Sequence, residues 1–171
     1  MRWPKLVRDK AAPVPPEVSL MRGERVLATA VAKGGATVVV TTRRLVATEG
    51  DLADGRPWHL VDSGRWDPDE GLLRVTWVDA HPEETWELES PGGVPDALHE
   101  RVQASVVLVE QVKLDRSRRA RVVLRRDLTT DRLLAQTIVG RGCDPNDPEL
   151  LAATEEVAAS LAEQVGREPG P

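Results

Sequence analysis

Eight basic residues crowd one short stretch of this chain: Lys113, Arg116, Arg118, Arg119, Arg121, Arg125, Arg126 and Arg132. Only Asp115, Asp127 and Asp131 stand against them there. Guanidinium groups offer several donors in a planar fork, so a cluster of them suits carboxylate or phosphate recognition. Over Arg119 to Arg126, alternation separates Ala120, Val122 and Leu124 from Arg119, Arg121 and Arg125. That pattern predicts a strand with one basic face, Val123 lying between the arginines. The candidate partner- or anion-binding residues are therefore Arg116, Arg118, Arg119, Arg121, Arg125 and Arg126. Other roles compete with recognition for the same residues. The arginines could protect an edge strand from pairing with another sheet, or pair with the acidic final segment around Glu155, Glu156 and Glu163.

Other chemistry-bearing residues are dispersed. His59, His81 and His99 fall in a strand, a proline turn and a helix, with no two at metal-ligand spacing on one element. Cys143 precedes Asp144-Pro145-Asn146-Asp147, a loop feeding a helix, where a helix dipole favours a thiolate but two carboxylates oppose it and no histidine serves as base. The oxygens of that loop lack the spacing and closing glutamate of a calcium loop. Asp67, Asp69, Glu70, Glu83 and Glu84 sit in turns, where solvated charge explains them better than paired acid–base work. Gly140-Arg141-Gly142 begins like a dinucleotide loop but lacks its third glycine. The expectation is a non-enzymatic protein without metal or cofactor.

Composition sets the remaining bounds. The 171 residues are 40% hydrophobic and 30% charged, which suits a globular chain rather than a disordered one. Five Trp and no Phe or Tyr mean that Val, Leu and Ala fill the core around Trp58, Trp66, Trp77 and Trp86. A net charge of -5 argues against general binding to nucleic acid or an anionic membrane. No apolar run reaches the roughly 20 residues of a membrane span. Met1 to Ala12 has basic residues but no apolar segment of a secretory signal. One cysteine precludes an internal disulfide, so a cytoplasmic protein is expected, with a protein partner or a homodimer as the company it keeps.

The elements that must position the arginines read as follows. Residues 1–17, with Pro13, Pro15 and Pro16, form a proline-rich arm. Six strands are expected: 26–33, 36–41, 44–48, 58–61 with room to extend to 66, 72–78 and 85–89, with Gly34-Gly35 turning the first hairpin. A helix near 94–104 follows, opened by Pro95 and Asp96. Residues 105–114 suit a strand, although Val102, Val106 and Val109 also continue a helical stripe. Strands at 119–126 and 133–139 come next. The final helix has Asp147 as its cap, Pro148 in its first turn, Gly166 past its end, and Leu150, Val157, Leu161 and Val165 on its buried stripe.

Six short antiparallel strands and a helix, with Thr41-Thr42-Arg43-Arg44-Leu45 at the second turn, resemble bacterial pleckstrin-homology-like and GRAM-like domains. The resemblance covers about residues 25–114. It implies a binding or scaffolding module in which a helix plugs a bent barrel of seven strands. The expected fold is thus α+β: a small antiparallel β-barrel of that type over 18–114, closed by the helix. The Arg-rich hairpin, a strand and the C-terminal helix over 115–171 would pack on it as an appended layer. The expected function is an interaction or scaffold module binding a protein partner or itself; the alternative is an anionic ligand or nucleic acid held by residues 113–132.

Overall fold

The computed structural model describes residues 13–166, so the first part of the proline-rich arm lies outside the described residues. The chain divides into two units, 1–102 and 103–171.

In the first unit, β1 (Val26–Val31), β2 (Thr37–Thr41), β3 (Arg44–Ala47) and β4 (Arg56–Pro57) form one antiparallel sheet in that order. Three consecutive valines, Val38 to Val40, are fully buried, as a central strand covered on both faces requires. A second sheet joins β5 (Val61–Asp67), β6 (Leu72–Trp77) and β7 (Glu84–Glu87). Its alternation turns Leu73, Val75, Trp77 and Trp86 inward, all buried, while Arg74 and Thr76 face the wetter side. Trp58 is fully buried and Trp66 half-buried. Helix α1 (Val94–Ser105) buries Val94, Leu98 and Val102. Leu98 lies so close to β5 that a Cβ on Gly64 would stand 2.0 Å from its Cδ2.

The closed barrel expected over 18–114 does not form. The two sheets are separate, and β4 does not pair with β5. An isolated bridge, Ala32 to Leu88, supported by Lys33 N–H donating to the Glu87 carbonyl at 2.9 Å, links them at one corner. The reason lies at Pro57. Proline offers no N–H to a ladder, β4 is two residues long, and Trp58–Leu60 winds into a 3-10 turn where a continuous strand was expected. The same turn takes His59 out of a strand. The strand count is seven rather than six, because Arg56–Pro57 pairs with Arg44 and Leu45 of β3.

In the second unit, β8 (Val106–Lys113), β9 (Arg119–Arg126) and β10 (Leu133–Val139) form a meander with β9 in the centre. Residues 106–113 are thus strand rather than a continued helix. Helix α2 (Pro148–Gln164) packs on this sheet. Leu150 and Leu161 bury against Val112, Ala120 and Val122, and half-buried Val157 packs beside them. Asp147 caps α2 as its sequence suggests, one carboxylate oxygen accepting from the N–H groups of Glu149 at 2.9 Å and Leu150 at 3.1 Å.

Candidate functional site

Strand register decides what each arginine of the second unit can reach. Lys113 pairs with Arg119, Gln111 with Arg121, Val109 with Val123 and Val106 with Arg125, so these residues share the sheet face that α2 does not cover. The expected common face of Arg119, Arg121 and Arg125 is therefore present, but it is not evenly wet. Arg119 is exposed, Arg121 is half-buried, and Arg125 is only 2% exposed. Arg125 donates from Nη1 to the buried Ser105 hydroxyl at 3.0 Å, which makes it part of the interior. A surface role for Arg125 is excluded by that burial.

Two further arginines are neutralised. Arg118 closes the β8–β9 turn: its Nε donates to Asp115 at 2.7 Å, and its Nη1 meets Glu149 at the start of α2. Bonds from Arg118 and Ser117 hold the Asp115 carboxyl down at about 2. Those from Asp115 and Glu149 raise Arg118 further. Arg126 pairs with Asp131 at 2.8 Å across the next turn. Pairing with the acidic helix is thus real at Arg118, although Glu149 is the partner and not Glu155, Glu156 or Glu163.

Arg132 is also exposed without an ion pair to a described residue, but it lies in the β9–β10 turn at the far end of the sheet; at the near end the remaining cations form a basic rim. Lys113 and Arg119 stand opposite each other on neighbouring strands, and Arg116 occupies the turn between them. Arg141 follows β10 directly, beside Gly140, whose N–H donates to the Arg119 carbonyl at 2.7 Å. All four cations are exposed, and none forms an ion pair with a described residue. Like charges placed directly across a ladder are destabilising, so the Lys113–Arg119 pair does not stabilise the β8–β9 ladder, and Arg119, on the central strand, protects no edge. The eightfold count of basic residues could not distinguish the rim from the rest. Arg141, outside the counted stretch, was missed because only the pairing of β10 with β9 carries it there.

The first unit holds a polar network that sequence patterns did not reveal. Glu24 is buried, and its carboxylate accepts from Thr41 Oγ1 at 2.6 Å, Arg44 Nε at 3.0 Å and the Met21 N–H at 2.8 Å. Arg44 also donates to the carbonyls of Asp54 and Ser19, and Trp58 Nε1 donates to the Thr41 carbonyl at 3.0 Å. Thr41 Oγ1 in turn accepts from the N–H groups of Arg43 and Arg44, which shapes the Thr-x-Arg-Arg-Leu turn. Burial alone would raise the Glu24 carboxyl, but the bonds from Arg44, Thr41 and Met21 outweigh it and hold the group below its ordinary 4.5. Arg44 and the Glu24 carboxylate spend their bonds on each other, on Thr41 and on backbone groups, so the network is a clamp rather than a ligand site.

The remaining candidates do not converge. His81 lies 3.4 Å from Glu84 and edge-on to Trp77, over which Arg56 stacks at 4.6 Å while pairing with Asp79. His99 is exposed on α1, and Cys143 is half-buried in a turn closed by its own N–H to the Gly140 carbonyl. Asp67 caps its own turn through the N–H groups of Asp69 and Glu70. Among the described residues no group of three His, Cys, Asp or Glu is placed to hold a metal ion, and no helix is long and apolar enough to cross a membrane. An open groove of about 610 Å³ runs between Pro13–Glu17 and the β1–β2 hairpin; its lining is mostly Pro, Val and Thr, with Glu17 and Glu49 as its ionisable groups. No family model, curated protein or solved structure matches this chain.

Proposed function

We propose that this chain is a non-enzymatic interaction module whose second unit docks an acidic protein surface through the rim of Lys113, Arg116, Arg119 and Arg141. One observation carries the reading. These four cations are left exposed and without carboxylate partners among the described residues, while Arg118 and Arg126 are neutralised and Arg125 is buried. A carboxylate-rich partner would relieve the repulsion between Lys113 and Arg119 and gain charge-assisted hydrogen bonds from both. The second unit contains no aromatic residue, so it has no platform on which unpaired bases could stack. The order of four strands, three strands and a helix in the first unit, with its Thr41–Leu45 turn, supports a scaffolding role like that of the family it resembles.

Capture from native lysate tests this. Replacing Lys113, Arg116 and Arg119 together by Gln should weaken retention of acidic proteins about tenfold, if each exposed charge contributes about 0.5 kcal/mol. Retention unchanged after the triple substitution would overturn the proposal. Nuclease-sensitive recovery of RNA in place of proteins would transfer the rim to nucleic-acid binding.

A further inference from the structure

Resting on that reading of the rim, we infer that its acidic partner is a second copy of this chain, whose helix α2 docks against it. Helix α2 carries Glu149, Glu155, Glu156 and Glu163 and neither Lys nor Arg. Glu149 is taken by Arg118 of its own chain, whereas Glu155, Glu156 and Glu163 are exposed. The second unit therefore presents a basic rim on its sheet and an acidic face on its helix. Each surface also has a large apolar side chain in water beside its charges: Leu114, next to Lys113, is 41% exposed, and Leu151 on α2 is 38% exposed. A leucine beside each of two oppositely charged patches supplies the dry contact that charge pairing at a rim needs around it.

A two-fold arrangement satisfies both copies at once. In an isologous interface each rim meets the other copy's helix, so every favourable contact occurs twice and no basic rim is left over to recruit a third copy. The net charge of -5 makes two copies repel overall. Association then depends on this local complementarity and is sensitive to salt.

Sedimentation of the intact chain tests the inference, with two charge-reversed variants. One carries Lys113→Glu, Arg116→Glu and Arg119→Glu; the other carries Glu155→Lys, Glu156→Lys and Glu163→Lys. The wild type should dimerise at low salt, with a dissociation constant rising at least about tenfold toward about 0.5 M salt, where the screening length falls to a few ångströms. Each reversed variant alone should be monomeric. Mixed in equal amounts they should recover a heterodimer, because acidic rim then meets basic helix and basic rim meets acidic helix. Should a reversal disturb the circular dichroism spectrum, the matching Gln substitutions replace it and must each weaken dimerisation about tenfold. A wild type that stays monomeric at about 0.1 mM in low salt, a dimer indifferent to the substitutions, or a mixture that stays monomeric would overturn the inference. A monomeric wild type whose rim variant still loses captured acidic proteins sinks the second-copy assignment alone. A rim variant that keeps every captured protein sinks the proposed function itself.

Discussion

Two hairpins of this molecule each place an arginine at the first position of the returning strand, Arg44 on β3 and Arg119 on β9. Their fates are opposite. Arg44 meets the buried carboxylate of Glu24, twenty residues upstream, and two backbone carbonyls, so its donors are consumed inside the fold. Arg119 faces Lys113, and no described carboxylate comes to it. An arginine's role is set by the acceptor that tertiary structure delivers, and the residue's immediate sequence neighbours do not reveal it. Both sites are basic turns in sequence. One is a structural clamp and the other is left open to a partner.

The sharpest way to break the comparison is to remove the acceptor. Glu24→Ala leaves Arg44 largely buried without its counter-charge, and stability in chemical denaturation should fall by about 3–5 kcal/mol. A loss below about 1 kcal/mol, as at exposed sites, would mean that Arg44 is no more committed to the fold than Arg119. The pH dependence has a definite sign. Because the folded Glu24 carboxyl titrates below 4.5, its contribution is complete above that value and disappears as pH falls through the lower folded value. The stability gap between wild type and Glu24→Gln should therefore narrow on acidification below 4.5, and a gap that widens there would contradict the clamp.

A smaller effect tests the gradient within β9. Arg125→Ala removes a charge-assisted bond to Ser105 from the interior and should destabilise by about 1.5–3 kcal/mol. Arg119→Ala should change stability by less than about 0.5 kcal/mol, as exposed substitutions do. Thermal melting of both variants measures the contrast, and equal losses would erase it. The smallest effect has the opposite sign. Lys113→Glu turns a like-charge cross-strand pair into an attractive one and should stabilise by about 0.2–1 kcal/mol while weakening partner capture. A variant both more stable and less able to bind would show that the rim is maintained at the expense of the fold.

Much of the second unit was legible in the sequence. Alternation located β9 and a run of apolar residues after a turn located β10, each at the residues where it forms, and Asp147 followed by Pro148 marked the start of α2. Alternation assigns faces, however, and does not say what covers them. Arg125 has the same parity as Arg119, yet one is interior and the other wet. The first unit was read less well where two-residue events decided the outcome. Pro57 and the 3-10 turn after it kept β4 from continuing into β5, and a run of Trp, His, Leu and Val had suggested unbroken strand. Glu24 was invisible for a different reason: its partners Thr41 and Arg44 are 17 and 20 residues away and reach it only once β2 has returned along β1.

The contact between Gly64 and Leu98 bears on how the first unit opens. With no room for even a methyl group between strand and helix, the two surfaces separate together or remain shut. Native-state hydrogen exchange should then report one cooperative unit, in which the amides at the centre of β5 and those in the middle of α1 share a single opening free energy. Gly64→Ala would wedge the pair apart and should speed exchange in both elements in parallel. The β1–β2 hairpin, which lies in the other sheet, should keep its own exchange rate unchanged.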